Sequence, residues 1–296
     1  MNSEVVSKLS PYKAKRSLAK VNLEEGLRLV NDFYWSIFVS TQFASEQGNT
    51  DPLIAFVNSK REFGGQGRLR PVNLRRLIAS SEDELPKFGL IVLFSHFEVY
   101  LREVCMTAVT ANPGVVAGAP GSVNGENIAG DEELLSVIES MAASTVDGWL
   151  RGNYAERFGA MRRVFGLGQH ITAPHVPTLD EYYAKRNCFV HRRGMIDARS
   201  KRFFPSDDSN PLGGKLRFDR SDFIRLHRAI HSCSDEIDTF TMNTHVRNAE
   251  VLRRLYEARR DHSDWTAKNY NVELQNLRLD IVSRRTIAQV LGILPK

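Results

Sequence analysis

The sequence predicts an all-α protein, an antiparallel helical bundle with N- and C-terminal helical extensions, and three observations support this fold class. Apolar residues recur at three- and four-residue spacing in several long segments, which is typical of amphipathic helices. Alternating strand patterns are scarce, and no βα units follow one another, so a doubly wound sheet is not expected. No internal repeat at a period of about 20 to 50 residues is present, which argues against a solenoid.

The helical pattern can be followed along the chain. Helices are expected at residues 21–46 and about 87–109, followed by a Gly/Pro-rich surface loop at residues 111–131, which we interpret as an insertion. Helical patterns resume at residues 131–143 and 152–164. A capping-box pattern, Thr178–Glu181, predicts that the next helix begins at Thr178, and Gly194 is its expected end. A short extended piece at residues 215–218, a long helix at 221–246 and helices at 247–259 and 273–291 complete the prediction.

These elements suggest three parts. Residues 1–84 form an N-terminal helical segment with a basic, Gly-rich loop, residues 85–245 form the central bundle, and residues 246–296 form a C-terminal helical extension. The N-terminus lacks the apolar core of a signal peptide, and no apolar run approaches the roughly 18 residues needed to span a membrane. A cytoplasmic protein without a membrane partner is therefore expected.

Cysteine and histidine spacing gives no indication of a metal site or cofactor. The three cysteines, Cys105, Cys188 and Cys233, lie far apart with no CxxC pair, so neither a disulfide framework nor a cysteine-rich zinc site is expected. His227 and His231 have the four-residue spacing of metal ligands on a helix, but the sequence shows no third ligand nearby. We therefore predict no metal and no cofactor.

The net charge of +5 permits nucleic acid as a partner, and the charge is unevenly distributed. Between residues 60 and 76 a single acid, Glu62, faces six basic residues, which are Lys60, Arg61, Arg68, Arg70, Arg75 and Arg76. One interpretation is a solvated, flexible loop. The other is a segment that contacts the phosphate backbone of a nucleic acid.

The segment from Arg186 to His191 carries the strongest indication of chemistry. On a helical wheel, Arg186 falls in the middle of an apolar stripe that consists of Leu179, Tyr182, Tyr183 and Val190. A guanidinium cannot be discharged and is costly to bury unpaired. Arg186 therefore has a carboxylate partner, or the stripe faces a cleft or a second chain. Asn187 and His191 are four residues apart, so they share one face of the helix beside the stripe.

This segment resembles the R-x4-6-H motif of the HEPN superfamily, in which a polar residue, often asparagine, follows the arginine. The upstream segment Phe94–Leu101, with its Phe97–Glu98 pair, is similar to the first core helix of many members. The resemblance covers roughly residues 85–245. It implies an all-α bundle that dimerises through the helix carrying Arg186 to His191. It also implies a metal-independent RNA endonuclease of a toxin–antitoxin, abortive-infection or antiviral system, with an antitoxin or regulatory protein as a possible partner.

The residue types of the motif suit that chemistry. RNA can be cleaved by its own 2′-hydroxyl, which requires a proton acceptor or donor that titrates near neutrality, a role for His191. Arg186 would offset charge on the transition state, and Asn187 would orient the phosphate or the imidazole. Glu98 is expected to hold Arg186 or His191 in place, and the alternative is a plain surface glutamate. The expected RNA contacts are Arg192, Arg193, Lys60, Arg61, Arg68 and Arg70.

Two other functions are compatible with the same sequence. One is a catalytically silent HEPN-like module that binds RNA, a nucleotide or a partner protein. The other is an unrelated helical interaction protein in which Arg186 forms a structural salt bridge. RNA cleavage in EDTA and the mass of the protein in solution would separate the three.

Overall fold

A computed structural model of the chain describes residues 16–46, 71–111, 142–204 and 211–246, together with positions 266, 268–270 and 272. The predicted all-α class is confirmed, because the regular elements within these residues are helices and the only β-type pairing is an isolated bridge between Met195 and Lys215. No helix in this part of the chain combines the length and the apolar character needed to cross a membrane.

Seven helices have bounds within the described residues. They are α1 (Leu18–Glu46), α2 (Pro71–Ala111), α3 (Tyr154–Phe165), α4 (Gln169–Thr172), α5 (Val176–Arg192), α6 (Ala198–Lys201) and α7 (Arg220–Thr241). A π-helical turn, Met242–Val246, continues α7, and residues 142–149 also have helical backbone. The helices predicted at residues 21–46, 152–164 and 221–246 are confirmed, with small shifts at their ends.

Two predicted helix starts were wrong, and each lies next to a proline. α2 begins at Pro71 rather than near Lys87 and keeps Pro86 in its interior, although an internal proline normally ends or kinks a helix. α5 begins at Val176, so Thr178 lies in the first turn and does not cap the helix. Pro177 fits that first turn because its missing N–H would have no intrahelical partner there.

The described residues form two compact units. Unit 1 comprises those within Met1–Glu24, Phe97–Pro177 and Ile230–Lys296, and unit 2 comprises those within Glu25–His96 and Thr178–Ala229. The predicted division of the chain near residues 84 and 245 stays a prediction.

Unit 2 has aromatic contacts that join α1, α2, α5 and α7. The rings of Tyr34 in α1 and Phe223 in α7 stack with their centroids 4.1 Å apart. Gly89 in α2 packs against the same Phe223 ring, where an added Cβ would lie 2.7 Å from it. Phe94 in α2 contacts Tyr183 in α5 edge-on, with centroids 5.7 Å apart. The last of these contacts holds α5, which carries the predicted site, against α2.

Unit 1 has its own aromatic core and a buried cation. Phe97 and Tyr154 stack with their ring centroids 5.5 Å apart. Lys20 is 1% exposed, and its ammonium group donates to Ser234 Oγ at 2.7 Å and pairs with Asp235 at 2.8 Å. A buried ammonium group requires such partners, because removing its charge from water is otherwise costly.

Several predicted features lie outside the described residues. They are Lys60, Arg61, Arg68 and Arg70 of the basic segment, most of the insertion at residues 111–131, and the helices predicted at 247–259 and 273–291. Arg75 and Arg76, at the end of the basic segment, belong to α2, and Arg76 is exposed.

Candidate functional site at the end of α5

The buried face of α5 carries a lysine rather than the arginine expected there. Its buried residues are Leu179, Asp180, Tyr182, Ala184, Lys185 and Cys188. Val190, which the helical wheel assigned to the apolar stripe, is 43% exposed, and Arg186 is half-buried. The prediction that Arg186 lies in the middle of the buried stripe was therefore wrong by one residue.

Lys185 is held by two carboxylates of unit 2. Its side chain is 5% exposed, and the ammonium group lies 2.9 Å from Glu181 and 3.5 Å from Asp222. Tyr182 donates its hydroxyl to Asp222 at 2.8 Å. Burial, reinforced by the nearby Asp222 carboxylate, raises the pKa of Tyr182, so this hydroxyl remains a neutral donor. The network attaches the buried face of α5 to α7.

Arg186 is oriented by its neighbours but retains an unused donor. Its Nη1 donates to Asn187 Oδ1 at 3.0 Å, and its guanidinium carbon lies 5.9 Å from the centroid of the Tyr183 ring. Its buried Nε–H has no hydrogen-bond partner among the described residues. A buried donor without a partner costs free energy unless something else accepts from it. Arg186 thus has capacity for an additional acceptor, such as a phosphate oxygen.

His191 lies on the last turn of α5 and is exposed. Asn187 is one helical turn before it, so the amide and the imidazole lie on one side of the helix. α5 ends at Arg192, and the expected stop is confirmed, since Gly194 has φ +80° and donates its N–H to the Cys188 carbonyl at 2.9 Å. Motif residues Arg186, Asn187 and His191 therefore occupy adjoining turns of one helix.

Glu98 does not take the partner that was expected for it. Its carboxylate accepts from Arg157 Nη1 at 2.9 Å, within unit 1. Arg157 is buried, lies over the Tyr154 ring at 4.8 Å and also donates to the Gly152 carbonyl. The ion pair of Glu98 is thus a structural one with Arg157, and the predicted pairing with Arg186 or His191 is corrected. A buried arginine on α3 was not singled out in the sequence.

The cations that follow His191 are exposed. Arg192 pairs with Asp197 at 3.1 Å, across the turn that leads into α6. Arg193 has φ +53°, the only positive value at a non-glycine residue in the described part of the chain. Of the six predicted RNA contacts, Arg192 and Arg193 are described by the structure.

A groove of about 520 Å³ lies beside the end of α5 in unit 2. Its lining includes the cations Lys87, Arg193 and Lys215, the acid Glu84, and the aromatic rings of Phe88 and Phe189. Phe88 is 53% exposed. The sequence did not indicate this groove, because its residues come from three segments that are distant along the chain.

Unit 1 contains a group of possible metal ligands that the sequence did not suggest. Glu24, His231 and Asp235 each offer one ligand atom, and these atoms lie within 4.8 Å of one another. Lys20 already lies 2.8 Å from Asp235 and 3.7 Å from Glu24, and Arg16 also pairs with Glu24. Two cations thus balance the two carboxylates, and a metal ion would have to displace them. The i,i+4 spacing of His231 and Asp235 was the available signal in the sequence.

Comparison of the chain with protein-family models, with curated proteins and with solved structures finds no match. The assignment of a function therefore depends on the residues of the site and their geometry.

Proposed function

We propose that the protein is a metal-independent endoribonuclease of the HEPN type that acts as a homodimer. The observation that carries the proposal is the arrangement on α5. An exposed imidazole, His191, follows a guanidinium that is oriented by Asn187 and Tyr183 and has a buried Nε–H to which no residue in the described part of the chain offers an acceptor. This combination provides an imidazole, which can accept or donate a proton, and a fixed cation with capacity to bind phosphate.

The proposed reaction needs no external nucleophile. The 2′-oxygen of the substrate attacks the adjacent phosphorus as its proton passes to a base, and the bond from phosphorus to the 5′-oxygen breaks as that oxygen receives a proton. The products are a 2′,3′-cyclic phosphate and a 5′-hydroxyl. His191 serves as the proton acceptor or donor, Arg186 stabilises the charge that develops on the phosphoryl oxygens, and Asn187 keeps the guanidinium in position.

One copy of the motif supplies one imidazole, whereas the reaction uses both an acid and a base. A second copy of the chain would supply the other group, which is the reason for including a homodimer in the proposal. Val190, within the motif, and Met195, four residues after it, are 43% and 42% exposed and are suited to be covered by a partner. A role as a toxin or antiviral effector is part of the same proposal. Toxicity of the protein when it is expressed would be the first indication of that role.

The test is cleavage of a single-stranded RNA by the full chain in EDTA. We expect His191→Ala to lower the rate by about 100-fold or more, the usual contribution of a general acid or base. His231→Ala is the matched control, because His231 is also an exposed histidine on a helix, and it should leave the rate unchanged. A 2′-deoxy nucleotide at the cleaved position should abolish cutting there.

Three outcomes would contradict the proposal. Continued cutting at the 2′-deoxy position would exclude attack by the 2′-hydroxyl, and loss of activity in EDTA would exclude a metal-independent reaction. A His191→Ala variant that cuts at the wild-type rate would show that the site is misassigned. A dimer that binds RNA without cutting it would instead support the silent HEPN-like module.

A further inference from the structure

We propose that the groove beside the end of α5 binds one nucleotide of single-stranded RNA, a neighbour of the cleaved position, by base stacking and phosphate contacts. The link to cleavage rests on the proposed function, whereas the binding itself does not. The groove is defined by the six lining residues named above, which are Glu84, Lys87, Phe88, Phe189, Arg193 and Lys215.

The shape and the lining of the groove suit a nucleotide. Its volume of about 520 Å³ is within the range of small-ligand sites. Phe88, 53% exposed, and Phe189, half-buried, contribute aromatic rings to the lining from α2 and α5. Aromatic side chains bind any base through its π-face, so such a site tolerates different sequences. An aliphatic lining would lack this affinity for planar groups.

The charge of the groove favours an anion. Lys87 is already paired with Glu84 at 2.7 Å and lies 5.6 Å from the centroid of the Phe189 ring. Arg193 and Lys215 form no ion pair with any residue that the structure describes. The groove thus offers two available cations beside two aromatic rings. Stacking surface next to basic side chains is the combination used by proteins that bind single-stranded nucleic acids.

The backbone holds these two cations in place. Gly194 accepts from the Leu216 N–H at 2.8 Å, and Gly214 accepts from the Ile196 N–H at 3.1 Å, on either side of the bridge between Met195 and Lys215. This pairing fixes the residues next to Arg193, whose φ of +53° is unfavourable for any residue with a Cβ. A glycine would adopt the same conformation without strain. Keeping an arginine at a strained position is typical of functional sites.

The groove and the catalytic motif share the end of α5. Phe189 and Arg193 are two residues before and after His191, so the groove and the imidazole lie on different sides of the same helix end. The helix is about 10 Å across. An RNA strand that passes His191 would therefore place a neighbouring nucleotide, rather than the cleaved one, in the groove. The groove should therefore affect RNA affinity and the choice of cleavage position more than the rate of the chemical step.

The experiment measures binding of a fluorescently labelled single-stranded RNA to the full chain, by anisotropy, in a His191→Ala background that prevents cutting. Arg193→Gly and Lys215→Gln should each weaken binding about fivefold or more, and each should reduce the slope of log K against log salt by about 1. Phe88→Ser should weaken binding by about tenfold. Arg217→Gln is the matched control, since Arg217 is an exposed cation two residues beyond Lys215 that does not line the groove.

Arg193→Gly also separates binding from folding. It relieves a strained φ, so the variant should unfold at the same urea concentration as the wild type or a higher one, and loss of binding cannot then be attributed to unfolding. Groove variants that bind like Arg217→Gln would overturn the proposal, and so would a wild-type chain that does not bind the RNA. If RNA binding depends on the groove residues but the wild type does not cleave RNA, the proposed nucleotide site is supported and the proposed ribonuclease activity is contradicted.

Discussion

The buried network around Lys185 makes a prediction that distinguishes it from the neighbouring Arg186. Replacing Lys185 with methionine keeps the length and apolar volume of the side chain but removes its charge. Glu181 and Asp222, whose side chains are 14% and 20% exposed, then lose the cation that lies between them. Replacing Arg186 with methionine removes a half-buried guanidinium that, among the described residues, has one hydrogen bond, to Asn187.

The expected magnitudes follow from these contacts. Removal of one partner from a fully buried ion pair costs about 3–5 kcal/mol. Arg225 remains 3.2 Å from Glu181 and 3.9 Å from Asp222, and both carboxylates keep some contact with water, so the expected loss for Lys185→Met is about 2–3 kcal/mol. Arg186→Met loses one partly solvated hydrogen bond and also removes an unpaired donor. Its expected cost is about 0.5–1 kcal/mol.

The assay is urea unfolding at pH 7, followed by circular dichroism, with the free energy of unfolding taken from the midpoint. A Glu181→Gln variant completes a double-mutant cycle with Lys185→Met, and the coupling between the two should be about 1–3 kcal/mol. The reasoning is refuted if Arg186→Met destabilises the protein as much as Lys185→Met, because Arg186 would then be the structural cation.

Three further predictions concern stability away from the motif. Asp219 caps α7 by accepting from the Ser221 N–H at 2.7 Å, so Asp219→Ala should cost about 1 kcal/mol in urea unfolding, and Asp219→Asn should cost less. Hydrogen bonds from Ser221 lower the pKa of Asp219 in the folded protein. The charge-dependent part of the stability that this cap provides is therefore present above the pKa that Asp219 has in the unfolded chain, and it should be lost as the pH falls below about 4. Glu98→Gln leaves the buried Arg157 without its ion pair and should cost about 1–2 kcal/mol, whereas RNA cleavage by the folded variant should match the wild type; a selective loss of cleavage would return Glu98 to the catalytic site. Gly89→Ala places a Cβ 2.7 Å from an aromatic ring and should cost about 1–3 kcal/mol, whereas Gly148→Ala, with no atom within 4 Å of the new Cβ, should stabilise its helix.

Periodicity was enough to predict the helical class and the position of the long helices. The spacing of Leu23 and Leu27 located α1, because one apolar face of a surface helix must be buried and its period is visible in the sequence. The ends were harder to predict. A helix start was predicted near Lys87, whereas α2 begins at Pro71 and keeps Pro86 in its interior, where tertiary packing outweighs the cost of a missing backbone hydrogen bond.

The identity of the buried cation could not be derived from the wheel. Lys185 and Arg186 are adjacent, and a rotation of α5 by about 100° brings one to the angular position of the other. What selects Lys185 is the presence of Glu181 and Asp222, and Asp222 is far away in the sequence. Side-chain pairing between distant segments decides the rotation of a helix, and one sequence does not reveal it. The same reason explains why Arg157 was missed as the partner of Glu98.

The corrected rotation of α5 has a consequence for the function of the motif. Because Lys185 forms the ion pairs on the buried face of α5, we expect substitutions of Arg186 and His191 to change the stability of unit 2 little. A structural role for Arg186 as a salt-bridge residue predicts a carboxylate near its guanidinium, and its described hydrogen bond is to the Asn187 amide instead. Variants of Arg186 and His191 should therefore fold normally, so any loss of RNA cleavage or binding in them would report on the site itself.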